Sequence, residues 1–192
     1  MKLIAIAGRK GAGKDTFAHP LLIENEGQFN LVKFADPLKN MLRSLFRDAG
    51  CSPTQIENMI EGDSKELQYP FLGGKTPRFA MQSLGTEWRD MMTTNLWTGI
   101  TDSRLKNMAR GGAHGVIITD CRFPHEVDFI HGLGGKVFRV VGKAPPNGFS
   151  DHPSETLVDT LDVDGEIFNF GTIADLHSTA LILSEAVDNS NL

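Results

Sequence analysis

The chain opens on an unbroken apolar run, Leu3-Ile-Ala-Ile-Ala7, closed by Gly8. A run without polar alternation predicts a strand covered on both faces, as in a parallel sheet flanked by helices. Leu31 to Ala35 predicts a second short strand, ended by Asp36-Pro37, where Asp can cap a helix and Pro can take its first position. Leu38, Met41, Leu42, Leu45 and Phe46 then recur at helical spacing, an amphipathic helix that Gly50 can terminate. Ser52-Pro53 and Thr76-Pro77 repeat the cap-then-proline signature and open helices over 53–61 and 77–94, and Thr101 caps a further helix to Ala109. Gly115 to Asp120 is the clearest later strand, followed by a short helix from Phe123-Pro124 through Ile130 and a strand from Lys136 to Val141. After a Pro- and Gly-bearing loop, Leu161 to Ile167 predicts one more strand. The last helix starts at Thr172 with Asp175 three residues on, a capping-box pattern, and places Ile173, Leu176, Ala180 and Leu183 on one face. Pro20, inside the helix expected after the first strand, predicts a kink or an early break.

Strands alternating with helices specify a doubly wound α/β sheet, and the helical stretch from 37 to 110 reads as an insertion packed over one edge of it. Composition narrows the class. A chain of 192 residues buries roughly 70% of its unfolded surface, so it needs no disulfide or metal staple, and Cys51 and Cys121 read as ordinary thiols. A net charge of -5 argues against a protein that coats nucleic acid, though not against nucleotides as small ligands. No stretch approaches the roughly 18 apolar residues of a membrane span, and the opening run is shorter than a signal-peptide core, which makes the cytoplasm the expected location. The charge is unevenly spread: all 19 Lys and Arg lie in residues 1–143 with 15 acids, whereas 144–192 holds nine acids and neither Lys nor Arg.

Residues 8–16 read GRKGAGKDT, directly after a predicted strand and before a predicted helix. Gly8, Gly11 and Gly13, with Ala12 between, let backbone N–H groups turn around phosphate oxygens, and the following helix N-terminus adds its partial positive charge. Lys14 can reach the β and γ phosphates as a point charge. The strict pattern places Ser or Thr after this Lys; here the position is Asp15, with Thr16 one later. A carboxylate can hold Mg2+ directly or through water and Thr16 can bond the α phosphate, so the spacing leaves open which oxygen meets the metal. Asp120 ends an apolar strand, where it reads equally as a carboxylate beside the metal or as a strand-end or cap acid. Arg122, two residues later, can reach a transferring phosphate or form a surface pair with Glu126.

These segments resemble the deoxynucleoside monophosphate kinases of bacteriophage type, relatives of adenylate kinase and dephospho-CoA kinase. GRKGAGKDT resembles their phosphate loop, KFADPLK at 33–39 their entry to the monophosphate-binding helices, and KTPRFAMQSLGTEW at 75–88 their Thr-Pro-Arg and Gly-Thr-Glu-Trp block. ITDCRFPHEVDFI at 118–130 resembles their Asp-x-Arg-Phe-Pro-x-Glu segment, and DHPSETL at 151–157 with NFGTIADL at 169–176 their C-terminal signature. The chain departs from that pattern in Trp88-Arg89, which lacks an intervening Gly, and in a lid that carries Lys143 and no Arg.

The resemblance implies a P-loop NTPase fold, a three-layer α/β/α sandwich with about five parallel strands in the order 2-3-1-4-5. It implies one kinase domain over 1–192: a core of 1–35 and 101–192, a helical insertion of about 36–100 for the nucleoside monophosphate, and a lid over about 142–156, with the Asn169 to Thr172 region near the adenine of ATP. The implied reaction is ATP- and Mg2+-dependent phosphorylation of a deoxynucleoside 5′-monophosphate. Rival readings are a P-loop kinase for another small acceptor, of dephospho-CoA or phosphomevalonate type, and a non-catalytic nucleotide-binding module.

Phosphoryl transfer needs positioning, cations and a metal rather than a nucleophile. Lys14, Arg122 and Lys10 are then the catalytic cations, supported by Arg139, and the loop from Gly8 to Thr16 is the ATP-phosphate site. Asp15 and Asp120 are the metal candidates. The monophosphate set is Phe34, Asp36, Lys39, Arg43, Arg78, Gln82, Glu87, Trp88 and Glu155, with Arg78 favoured because a guanidinium grips phosphate bidentately. Gln82 can bond a base edge, Trp88 or Phe34 can stack on the base or fill a core, Glu87 and Glu155 can meet sugar hydroxyls or hold arginines, and His152 is a lid candidate. The expected ligands are small molecules, without nucleic acid or membrane, and a homodimer is left open.

Overall fold

The computed structural model describes residues 1–23, 29–142 and 157–189. β1 (Lys2–Ala7) has Ile4 to Ala7 entirely enclosed, as an unbroken apolar run requires. It is the central strand of a five-stranded parallel sheet of order β2-β3-β1-β4-β5, with β2 at Phe29–Val32, β3 at Gly115–Cys121, β4 at Lys136–Gly142 and β5 at Gly165–Asn169. Ile4 pairs with Ile117 on one side and Lys136 on the other. The strand order is the one expected from the sequence.

Alternate side chains of β1 enter two different cores. Leu3, Ala5 and Ala7 join Val116 and Ile118 against Leu105 of α6 (Leu96–Arg110) and Val127 and Ile130 of α7 (Pro124–Gly132). Ile4 and Ile6 join Ile117 and Val140 against Phe17 and Leu21 of α1 (Lys14–Ile23) and Leu176 and Ala180 of α8 (Ile173–Asn189). The sheet is thus the middle of three layers. α8 starts on the expected box: Thr172 Oγ1 accepts from Asp175 N–H at 3.2 Å and the Asp175 carboxylate accepts from Thr172 N–H at 2.8 Å. Ile173 does not share its buried face and is 65% exposed.

Several boundaries differ from the sequence reading. β2 begins at Phe29 and ends at Val32, because Leu31 faces solvent and the chain then turns, so that Phe34 N–H meets the Asp120 carboxylate at 2.9 Å instead of a strand neighbour. β5 starts at Gly165 rather than Leu161. Asp164 sets that start by donating its N–H to Val137 O at 2.7 Å and accepting Val137 N–H and Lys136 Nζ on its carboxylate, each at 2.8 Å. α1 does not break at Pro20 but runs to Ile23; the ring costs one amide donor and is buried beside Phe17 and Leu21. α6 begins at Leu96, so Thr101 is an enclosed interior residue and not a cap. The lid predicted over about 142–156 lies, apart from Gly142 at the end of β4, outside the described residues.

The chain divides into two compact units, 1–34 with 102–192, and 35–101. The second is helical: α2 (Asp36–Asp48), α3 (Pro53–Ile60), α4 (Pro77–Ser83) and α5 (Arg89–Met92), with short 3-10 turns at Asp63–Glu66 and Pro70–Leu72. Ala35, not Asp36, occupies the cap position of α2, and Asp36 sits in its first turn. α2 ends as expected, with Gly50 N–H on Arg47 O and Cys51 N–H on Phe46 O. Ser52 and Gln55 form a capping box at α3. Leu42, Phe46, Ile56, Met59 and Ile60 make this unit's own core. The helix predicted over 77–94 is instead α4, a π-helical turn at Leu84–Trp88, and α5, which ends at Met92 because Thr93 is extended.

Replacing Ile117, wholly buried in β3, by Ala is expected to lower unfolding free energy by about 2–5 kcal/mol, since the sheet centre cannot collapse onto the lost methyl groups. Urea titration of the variant checks this.

Candidate functional site

β1 delivers the chain into the loop from Gly8 to Gly13, and α1 follows at Lys14. Gly8 and Gly13 have φ of 144° and 101°, backbone that side-chain-bearing residues rarely adopt. A Cβ on Gly8 would lie 2.6 Å from Val140 O and one on Gly13 would lie 2.4 Å from Asn169 Nδ2. Asn169 Nδ2 also donates to Ala12 O at 2.9 Å, so the end of β5 clasps the loop. Lys14 is 8% exposed, and its Nζ donates to Gly8 O at 2.7 Å and Arg9 O at 2.8 Å. The ammonium is thus folded over its own loop, satisfied by two carbonyls.

Beside the loop lies a cavity of about 340 Å³ lined by Lys10, Ala12, Arg139, Gly142, Asp159 and Glu166. Arg9 grips Asp159 bidentately, its Nε at 3.1 and 3.0 Å from the two carboxylate oxygens. That hydrogen bond holds the Asp159 carboxyl below its ordinary range. Arg139 is bound to Glu166 through Nε at 2.9 Å and to Asp159 O through Nη1 at 2.8 Å. Its guanidinium therefore braces the sheet edge rather than standing open for a phosphate.

Asp15 accepts Lys33 Nζ at 3.0 Å and Thr119 Oγ1 at 2.9 Å, both on Oδ1. Burial raises its pKa, but the Lys33 bond and charge, the Thr119 hydroxyl and the Lys14 charge outweigh this and hold it low. Asp120 follows Thr119 as the second-last residue of β3 and accepts Phe34 N–H. Phe34 is buried, edge-on to Phe129 with ring centroids 6.1 Å apart. Thr16 is half-buried in the first turn of α1.

Arg122 and Phe123 donate backbone N–H groups to Glu126 Oε2 at 2.7 and 3.0 Å. Glu126 is buried, so it is not the surface acid that its sequence position suggested, although the Arg122 charge still acts on its carboxyl. It instead fixes the turn that carries Asp120 and Arg122. Burial, with the Asp120 charge added, pushes its pKa up to about 8 against the pull of those two backbone bonds.

In the 35–101 unit, Thr76 Oγ1 caps α4 on Phe79 N–H at 3.1 Å and so presents Arg78, whose Nε is bound to Glu66. Lys39 reaches Glu61 at 2.9 Å, and Arg43 spans Glu57 at 2.7 Å and Glu61 at 3.2 Å. Gln82 is half-buried near the end of α4. Glu87 and Trp88 lie in the π-helical turn, Glu87 exposed and Trp88 half-buried with its ring 5.8 Å from that of Trp97. Such turns concentrate at functional sites. Arg89 is buried and paired with Asp90 at 2.8 Å. Glu155 and His152 lie outside the described residues. Sequence reasoning missed Lys33, Thr119 and Asp159; the first two sit at strand ends on the loop's edge of the sheet, where ligands of open α/β sheets bind, and that position was the available signal.

Because Glu126 is ionised when unfolded but protonated when folded over the interval between 4.5 and about 8, it makes stability fall as pH rises through that window. Glu126→Gln is expected to flatten that decline, read from thermal midpoints at pH 5 to 8.

The sequence profile described as deoxynucleotide monophosphate kinase matches residues 76–180. A putative deoxynucleotide monophosphate kinase of Acanthamoeba polyphaga mimivirus is 33% identical over 203 aligned residues, covering 100% of this chain and 98% of that one. Among solved structures, a gluconokinase from Sinorhizobium meliloti 1021 superposes with a TM-score of 0.50 at 14% identity, over 99% of this chain and 95% of that one, a likeness of fold. With a glycine loop and buried lysine at the end of the central strand of a 2-3-1-4-5 sheet, this chain belongs to the deoxynucleotide monophosphate kinase family and is a phosphotransferase.

Proposed function

We propose that the chain moves the γ-phosphoryl group of ATP to a deoxynucleoside 5′-monophosphate by direct in-line displacement, giving ADP and the diphosphate. The observation that carries this reading is the buried Lys14, wrapped by the carbonyls of a loop in which Gly8 and Gly13 leave no room for a Cβ. Phosphate oxygens replace those two carbonyls as acceptors, so the ammonium is desolvated once, on folding, and needs no further reorganisation when ATP arrives. The first-turn amides of α1 and the Thr16 hydroxyl complete the cradle. Asn169, which donates to Ala12 O, marks the side of the loop to which this reading assigns the base of ATP.

Arg122, on the turn fixed by Glu126, supplies charge to the transferring group, and Lys10 at the loop tip assists. Mg2+ takes hard oxygen ligands and is commonly held by one or two carboxylates plus substrate phosphates. The Asp120 carboxylate, near the end of β3, offers hard oxygens of that kind beside the loop, and Asp15 is held by Lys33 and Thr119. Bound there with phosphate oxygens, the ion would neutralise charge on the phosphates.

The acceptor belongs to the 35–101 unit. Arg78 exchanges the Glu66 carboxylate for the planar, bidentate grip on a monophosphate. Lys39 and Arg43 hold α2 against the acids of α3 and, with Asp36, lend positive and negative charge along that helix. Gln82 reads a base edge, Glu87 meets the sugar, and Trp88 offers a partly open face for stacking. No covalent nucleophile is needed, since transfer between two positioned phosphates depends on alignment and charge. The reading places the enzyme in the cytoplasm.

Purified protein with ATP, Mg2+ and each deoxynucleoside monophosphate should release ADP and form the diphosphate, and Lys14→Ala should cut kcat by about a hundredfold or more with its thermal midpoint retained. Turnover of none of them, with ATP merely hydrolysed or left intact, defeats the proposal.

A further inference from the structure

Asp15 sets an electrostatic problem for the loop it follows. It stands directly after Lys14, in the first turn of α1, at the position where a hydroxyl ordinarily serves. A carboxylate there, its side chain 73% exposed, sets a negative charge in the same helix turn whose amides a polyphosphate in the loop would use, and like charges repel at short range even where solvent screens part of the field. The fold brings compensation from two other elements. Lys33, the first residue after β2, places Nζ 3.0 Å from Asp15 Oδ1, and Thr119 of β3 donates to the same oxygen at 2.9 Å. The backbone of Lys33 is itself approached, its carbonyl lying 3.5 Å from Arg104 Nη1 of α6. Three elements thus converge on one carboxylate at the sheet edge where β1 opens into the phosphate loop.

We infer that Lys33 is a positioning residue of the phosphate loop, whose ammonium cancels the charge of Asp15 and so permits ATP to bind, with Asp15 serving as an anchor between α1, β2 and β3 and not as a magnesium ligand. The inference rests on the reading that this loop binds ATP. It makes a specific demand: once Lys33 is gone, the harm comes from Asp15, and removing the Asp15 charge repairs it. A lysine that touched the phosphates itself would give no such repair. A carboxylate that held the metal would respond oppositely, since Asp15→Asn would then add to the damage.

The test is calorimetric titration of the full chain with Mg2+ and ATP, without acceptor, on wild type, Lys33→Met, Lys33→Arg, Asp15→Asn and the Lys33→Met/Asp15→Asn double variant. Lys33→Met is expected to weaken ATP binding by about tenfold or more, Lys33→Arg by far less, and the double variant to recover most of the loss. Thermal midpoints are recorded alongside, and Lys33→Gln, alone and combined with Asp15→Asn, takes the place of Lys33→Met if that variant fails to fold. A double variant no better than Lys33→Met, or a Lys33→Met variant that binds as wild type does, overturns the inference. A wild-type chain that binds no ATP overturns it together with the proposed function. The expected binding pattern without turnover of any deoxynucleoside monophosphate supports the inference and removes only the acceptor reading.

Discussion

The phosphate loop is shaped by contacts at which a single added carbon would collide. Gly8 lies against Val140 O, Gly13 against the Asn169 amide, and Gly142 would bring a Cβ to 2.6 Å from Ala12 O. These approaches exist because β1 is flanked by β4 and β4 by β5, so that the loop leaving β1 runs directly past the ends of its neighbours. The sheet order therefore dictates the loop's geometry, and the loop's geometry dictates where Lys14 and the first turn of α1 stand. The hydrophobic cores on both faces, with Ile4 and Ile6 on one side and Leu3 and Ala5 on the other, hold β1 in the position from which the loop departs. A rigid arrangement of donors and charge lowers the barrier to phosphoryl transfer because it costs nothing to assemble during the reaction.

Charge pairing is the second organising feature. Arg9 and Arg139 rest on Asp159 and Glu166, Lys33 on Asp15, Arg78 on Glu66, and Arg43 on Glu57 and Glu61. The uneven charge of the sequence has a counterpart here: acids of the wholly acidic segment after residue 143 meet arginines of the basic segment before it, on the loop and on β4. Partly exposed pairs of this kind contribute only about 0–1 kcal/mol each to stability, so Arg78 can exchange the Glu66 carboxylate for a substrate phosphate at small cost. Glu126 differs, being enclosed and tied to two backbone amides, and its role is to fix the β3 turn.

Much of this was legible in the sequence, for identifiable reasons. The apolar run Leu3 to Ala7, the glycines of the loop and the cap-proline pairs at 52 and 76 act locally, and local signals survive folding. The strand order followed from the resemblance rather than from any pattern of apolar positions. Misplaced boundaries occurred where a distant partner decides: Asp164 fixes the start of β5 through Val137, and Asp120 ends β2 through Phe34. The π-helical turn at Leu84–Trp88 differs from α-helix in its hydrogen bonding and leaves no separate mark in the residue pattern over 77–94. Lys33 and Thr119 gave no motif beyond their place at strand ends, and their convergence on Asp15 depends on the sheet order.

The central claim is that the chain catalyses by positioning two phosphates against preset charge, with no covalent step on the protein. The most direct measurement is the stereochemistry at phosphorus when ATP carrying an isotopically chiral γ-phosphate is turned over with a deoxynucleoside monophosphate. A single in-line transfer predicts inversion of configuration in the deoxynucleoside diphosphate, and retention would contradict it by requiring a phosphorylated side chain between the two substrates.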